Sequence, residues 1–104
     1  MTAAQSYSTA VEGGAPVQYR YIIEGRIDPG PYMAFVADRA GWLDLRGWVR
    51  ATREGCAEIV AAGPEALVGA LEMACTLGPL DMLVERIETL DEPGVVASGF
   101  EVRG

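Results

Sequence analysis

The side chains able to do chemistry in this chain are few in kind. There is no His and no Lys, and the cations are eight arginines spread from Arg20 to Arg103. Without imidazole, His-based metal sites and His-based catalytic triads are excluded. Cys56 and Cys75 match no zinc or redox spacing, and in a reducing compartment both thiols are expected to be free. One segment stands apart: Asp28-Pro29-Gly30-Pro31-Tyr32-Met33 follows a strand-like run and leads into a helix-like one. Two prolines and a glycine there read as a rigid strand-to-helix turn, with a recognition surface stiffened by proline as the alternative. Arg26, Arg50 and Arg53, the arginines nearest to it in sequence, are read as solvated or salt-bridged charges more often than as ligands of a substrate.

At 104 residues, half of them hydrophobic, the chain makes one domain with one core. Fifteen acidic against eight basic side chains give a formal net charge of −7. That balance repels polyanions and opposes nucleic-acid binding, whose affinity comes mainly from Lys and Arg neutralising phosphates. No run approaches the roughly 20 apolar residues of a membrane span, and the N-terminus lacks the basic start and apolar stretch of a signal peptide. A cytoplasmic location is expected, with no membrane partner.

Residues 1–16 carry no apolar period and read as a flexible tail ahead of a domain over 17–104. Val17, Tyr19, Tyr21, Ile23 and Ile27 then fall on one face and Gln18, Arg20, Glu24 and Arg26 on the other, a half-buried strand. Past the Pro-Gly-Pro turn the period becomes helical, with Tyr32, Phe35, Val36, Ala40 and Leu43 on one stripe. A strand through Leu45, Gly47 and Val49 and another carrying Ala57, Ile59 and Ala61 form a hairpin across Arg53-Glu54-Gly55. Gly63-Pro64-Glu65 opens a second helix, which places Leu67, Leu71 and Cys75 on one face and closes at Gly78-Pro79. Within Leu83–Leu90 the apolar residues fail to alternate, which predicts a bulged strand, and Glu85–Glu92 reads as a solvated acidic edge. Phe100 and Val102 make a short final strand. Trp42 and Trp48 are read as packing residues. The order βαββαβ plus a terminal strand predicts an α+β, ferredoxin-like two-layer sandwich, with two helices on one face of an antiparallel sheet.

These pieces resemble the acylphosphatase family. Gly25-Arg26-Ile27 leads into a loop of the family's length; Ala34-Phe35-Val36, Leu45-Arg46-Gly47-Trp48-Val49-Arg50, Glu58-Ile59-Val60-Ala61, Gly63-Pro64-Glu65-Ala66-Leu67 and Gly99-Phe100-Glu101-Val102-Arg103 follow in the family's order. The resemblance spans about residues 18–103 and implies the ferredoxin-like fold and hydrolysis of acyl phosphates without a cofactor. In that family the first loop reads Gln-Gly-Val-Gly-Phe-Arg, its amides and Arg cradling a phosphoryl group. Here those positions are Asp28, Pro29, Gly30, Pro31, Tyr32 and Met33, so the guanidinium and two N–H donors are replaced. The family's Gly-Trp-Val-Arg-Asn, whose Asn holds the attacking water, reads Gly47-Trp48-Val49-Arg50-Ala51. These replacements lead to the expectation of a catalytically silent module that binds a protein or a small ligand. The alternative is an active acylphosphatase using Arg26 or Arg50 as a substitute cation. A third reading, RNA binding on a ferredoxin-like sheet, is opposed by the acidic balance and the lack of an aromatic RNP-type stretch.

Overall fold

A computed structural model describes residues 14–104, so the expected tail over 1–16 lies largely outside the described residues. The elements are β1 (Pro16–Arg26), α1 (Pro29–Trp42), β2 (Arg46–Arg53), β3 (Cys56–Pro64), α2 (Glu65–Leu77), β4 (Leu83–Asp91) and β5 (Phe100–Arg103). They form one five-stranded sheet, ordered β4-β1-β3-β2-β5. β1 pairs antiparallel with β3 and β4, and β2 pairs antiparallel with β3.

The sheet is mixed, not antiparallel throughout as expected: β5 runs parallel to β2. The reason lies in the route of the chain. Residues 92–99 cross from the β4 edge to the β2 edge along one end of the sheet, held by Gln18 Nε2 donating to the Glu92 carbonyl, by Arg46 Nη1 donating to the Val96 carbonyl at 3.3 Å, and by Gly47 N–H donating to the Gly99 carbonyl at 3.0 Å. A connection that stays at one end reverses the chain. Because β4 runs opposite to β2, β5 enters parallel to β2.

Both helices cover one face. Period-two alternation turns Tyr21 and Ile23 of β1, Val49 of β2, and Ala57, Ile59 and Ala61 of β3 toward Tyr32, Val36 and Ala40 of α1 and Val68, Leu71 and Cys75 of α2. All are buried. Leu71 alone contributes about 1.5–3 kcal/mol by leaving water. The small side chains of β3 let the helices approach, and β3, buried from Cys56 to Ala62, is the centre of the sheet.

Trp42, expected to pack, is 71% exposed at the end of α1, off the stripe made by Tyr32, Val36 and Ala40, with the Arg39 guanidinium 4.7 Å above its ring. The suspected bulge is present. Glu24 pairs with Arg86 and Gly25 with Val84, so Glu85 is the extra residue on β4. The bulge sits where a methyl on Gly25 would run into the Leu83 carbonyl oxygen, which explains the glycine just before the loop. Gly47, at φ 145°, is held likewise against the Val60 carbonyl. The closing Gly78 donates to the Ala74 carbonyl and adopts φ 68° with ψ 177°, a conformation essentially restricted to glycine but not the left-handed helical cap expected. No helix among the described residues is long and apolar enough to cross a membrane.

Candidate active site

β1 ends at Arg26, and only Ile27 and Asp28 separate it from α1. Ile27 is buried and anchors the loop to the core. Asp28 is the N-cap: its backbone is extended and its carbonyl accepts the Tyr32 N–H at 2.9 Å. Its carboxylate makes no capping hydrogen bond. Such a cap usually takes the N–H of the second or third helical residue, and the third is Pro31, which has none. The two prolines leave Gly30 as the single N–H among the first three residues of α1. That N–H points from the positive end of a 14-residue helix, and a Cβ on Gly30 would meet nothing within 4 Å.

Tyr32 is fully buried, and its hydroxyl donates to the Cys75 carbonyl at 2.9 Å. The partner has a clear cause. Four residues beyond Cys75 stands Pro79, which cannot supply the N–H that this carbonyl would accept in a continuing helix. A side chain from the first turn of α1 thus completes the last turn of α2. Burial, and then Cys75, raise the Tyr32 phenol well above its ordinary range. Burial likewise pushes the Cys75 thiol up to about 12. Both are held neutral as packing groups.

Met33 is half-buried against the core, and Ala51 is half-buried on β2 with the same parity as core-facing Val49. Neither brings a polar atom to the loop. The two proposed substitute cations fare differently. Arg50 lies on the open face of the sheet, where Nε and Nη2 bond the Glu58 carboxylate at 2.8 and 2.7 Å. Arg20 holds the other oxygen of Glu58 and also bonds Glu92 at 2.9 Å. Arg20, Arg50 and Arg103 lie 5.5, 5.3 and 4.7 Å from the Trp48 ring centroid, so Trp48 is the packing residue expected, set among cations. Arg53 lies 3.4 Å from Glu24. Arg26 is exposed at the mouth of the loop and has no ion pair with a described residue. The fold therefore leaves one loop-side guanidinium uncommitted.

Sequence reasoning missed Glu58 as the keystone of the open face. The signal was present: a carboxylate within the apolar run Cys56–Ala62 needs a partner to be buried. Cys56 and Cys75 are both buried free thiols, and the described residues contain no group of three or more His, Cys, Asp or Glu able to hold a metal ion.

A loop entering a helix N-terminus, on a βαββαβ sandwich completed by a parallel edge strand, is the architecture of a known class of small hydrolases. The family model described as Acylphosphatase matches residues 19–102. An acylphosphatase from Azorhizobium caulinodans is 43% identical over 82 residues, covering 78% of this chain and 88% of that protein. One from Rhizorhabdus wittichii is 37% identical over 81 residues, covering 78% and 82%. The crystal structure of acylphosphatase from Bacillus subtilis superposes with a TM-score of 0.77 at 28% identity, over 85% of this chain and 99% of that one. The chain belongs to the acylphosphatase family. The expectation of a catalytically silent module is thereby overturned: several acylphosphatases at 34–43% identity over most of the chain point to an active enzyme.

Proposed function

We propose that this protein hydrolyses acyl phosphates, adding water across the carboxylic–phosphoric anhydride to release a carboxylate and inorganic phosphate. The observation that carries this reading is the 43% identity to an acylphosphatase across 88% of that relative's length. The chemistry asks little of the site. The leaving group is a carboxylate, whose conjugate acid has a pKa of about 4, so it departs without a strong general acid. The remaining tasks are to hold the phosphoryl group and to place a water.

Arg26 is the cation we assign to the phosphoryl oxygens. It stands two residues ahead of the helix cap and has no carboxylate partner among the described residues. The Gly30 N–H, at the positive end of α1, is the backbone donor to the same group. The Asp28 carboxylate, unused as a cap, is the acceptor available at the loop to orient water. Arg50 takes no part, since its Nε–Nη2 edge is held by Glu58 on the open face of the sheet, away from the helices.

Hydrolysis of benzoyl phosphate, followed by loss of its ultraviolet absorbance, tests the reading. The native chain is expected to turn over well above buffer, Arg26→Ala to lose about 10²-fold in kcat/KM, and Arg26→Lys to recover part of that loss. Adding the family's groups in a Met33→Arg, Ala51→Asn double variant is expected to raise turnover further. A native chain no faster than buffer overturns the assignment.

A further inference from the structure

The strand that delivers Arg26 loses its regular partner on β3 at Glu24, which pairs with Cys56. One further tie carries it on: the Gly25 N–H donates to the Gly55 carbonyl at 2.8 Å. Gly55 belongs to the turn between β2 and β3 and adopts φ 76°, a conformation that favours glycine. A Cβ built on it would stand 2.7 Å from the Gly25 carbonyl oxygen, too close for the backbone to stay where it is. That carbonyl shares a peptide plane with the Arg26 N–H, so both peptide groups of Gly25 lie against Gly55. On the other flank the Leu83 carbonyl closes on Gly25, where β4 bulges at Glu85. β2 bulges at the same end: Ala51 pairs with Ala57 and Arg53 with Cys56, which leaves Thr52 as the extra residue. Both bulges bend the neighbours of β1 at the point where it hands over to the loop.

We infer that Gly55 is a positioning residue for the site: it fixes the peptide from which the Arg26 side chain leaves the sheet. The inference rests on the acyl phosphate reading, in which one phosphoryl group meets Arg26 and the Gly30 N–H together. Those two donors have separate supports. Gly30 is carried by α1, whereas Arg26 is carried by the end of β1, between the Gly55 turn and Leu83. Their spacing therefore depends on how firmly that end is held, and a misplacement of about 1 Å can cost about 10²-fold in rate. Glu24 also joins the same elements on the open face, through Arg53 at 3.4 Å and Arg86 at 4.0 Å, but these pairs are exposed and contribute little. A side chain at position 55 pushes the Gly25 carbonyl away, and Gly25 has little room to retreat, because the Leu83 carbonyl already fills its far side. The displacement passes on into Arg26 and the loop.

A double-mutant cycle on benzoyl phosphate hydrolysis tests the assignment. Gly55→Ala is expected to lower kcat/KM about tenfold in the native background, and by less than about twofold in the Arg26→Ala background. A loss of stability acts alike in both backgrounds, so a purely structural role gives equal factors. Equal factors overturn the assignment and leave the hydrolase standing. Titration of the native chain with inorganic phosphate, followed by NMR, needs neither turnover nor a variant that folds. Shifts of the Arg26 and Gly30 amides and of the Gly55 carbonyl carbon, saturating together, support the assignment. Shifts at Arg26 and Gly30 that leave Gly55 unmoved overturn it. A chain that shows no shift at any of the three, and no turnover above buffer, removes the phosphoryl site and this inference with it.

Discussion

Two regions of this molecule handle charge in opposite ways. On the open face of the sheet the cations around Trp48 are answered: Arg20 and Arg50 share Glu58, Arg20 also reaches Glu92, and the Trp48 ring lies among three guanidinium groups. Arg20 and Trp48 flank Val60 in register and stack at 5.5 Å, and Val60 is fully buried although no helix covers that face. Charge and aliphatic stem there do the work of a missing layer. At the β1–α1 junction, three residues carry charge or a free donor and none has an internal partner among the described residues: Arg26, the Asp28 carboxylate and the Gly30 N–H. Paired charges build structure; under the proposed function, those in the turn pinned by Ile27 and Tyr32 serve the phosphoryl group.

The comparison breaks most visibly if the two regions fail to separate in their effects. Arg26→Ala should remove about 10²-fold of benzoyl phosphate turnover while shifting stability by less than about 0.5 kcal/mol in urea titrations. Glu58→Ala should do the reverse. It strands Arg20 and Arg50, and because those side chains are 27% and 48% exposed the loss is discounted to about 2 kcal/mol, with turnover retained in the folded fraction. Tyr32→Phe probes the seam between the regions. Losing the donor to the Cys75 carbonyl should cost about 1–2 kcal/mol by chemical denaturation, with a smaller loss of turnover as α1 loosens at its start.

The smallest effect is one of pH. Burial raises the Cys75 thiol from 9.0 to about 12, and raises the Tyr21 and Tyr32 phenols as well. A group held neutral in this way contributes stability that is complete below its unfolded value and is lost as pH climbs toward the folded one. The urea midpoint should therefore be flat from pH 7 to 8.5 and fall between about 9 and 12. Cys75→Ala should reduce that fall, and a midpoint unchanged at pH 11 would contradict it.

Much of this was legible beforehand, for reasons that differ by residue. Strand parity placed Tyr21, Ile23, Val49 and Ile59 on the core face, because alternation is a local property of the chain. The irregular spacing of Val84 and Ile87 correctly implied a bulge. Parallel pairing of β5 was not legible. Four residues carry almost no register information, and the direction follows from where residues 92–99 travel, which is a tertiary fact. Trp42 was misjudged because an aromatic at a helix end can stack under an arginine and stay exposed. At the loop, Met33 and Ala51 were read as a loss of function. That reading let the replaced loop and Asn position outweigh the resemblance over about residues 18–103, a stretch over which the chain's relatives are acylphosphatases. The hydroxyl that separates Tyr32 from the Phe of the family loop finds its meaning only when Pro79, 47 positions later, is seen to leave a carbonyl unanswered.

The parallel edge strand carries a consequence for assembly of the fold. β5 docks on β2, about fifty residues earlier in the chain, and its connector is fastened to Gln18, Arg46 and Gly47. Each of those contacts spans a long stretch of sequence, so the last strand gains little until the other four are in place. During synthesis the outer rim of β2 therefore stays bare until Phe100–Arg103 have emerged from the ribosome.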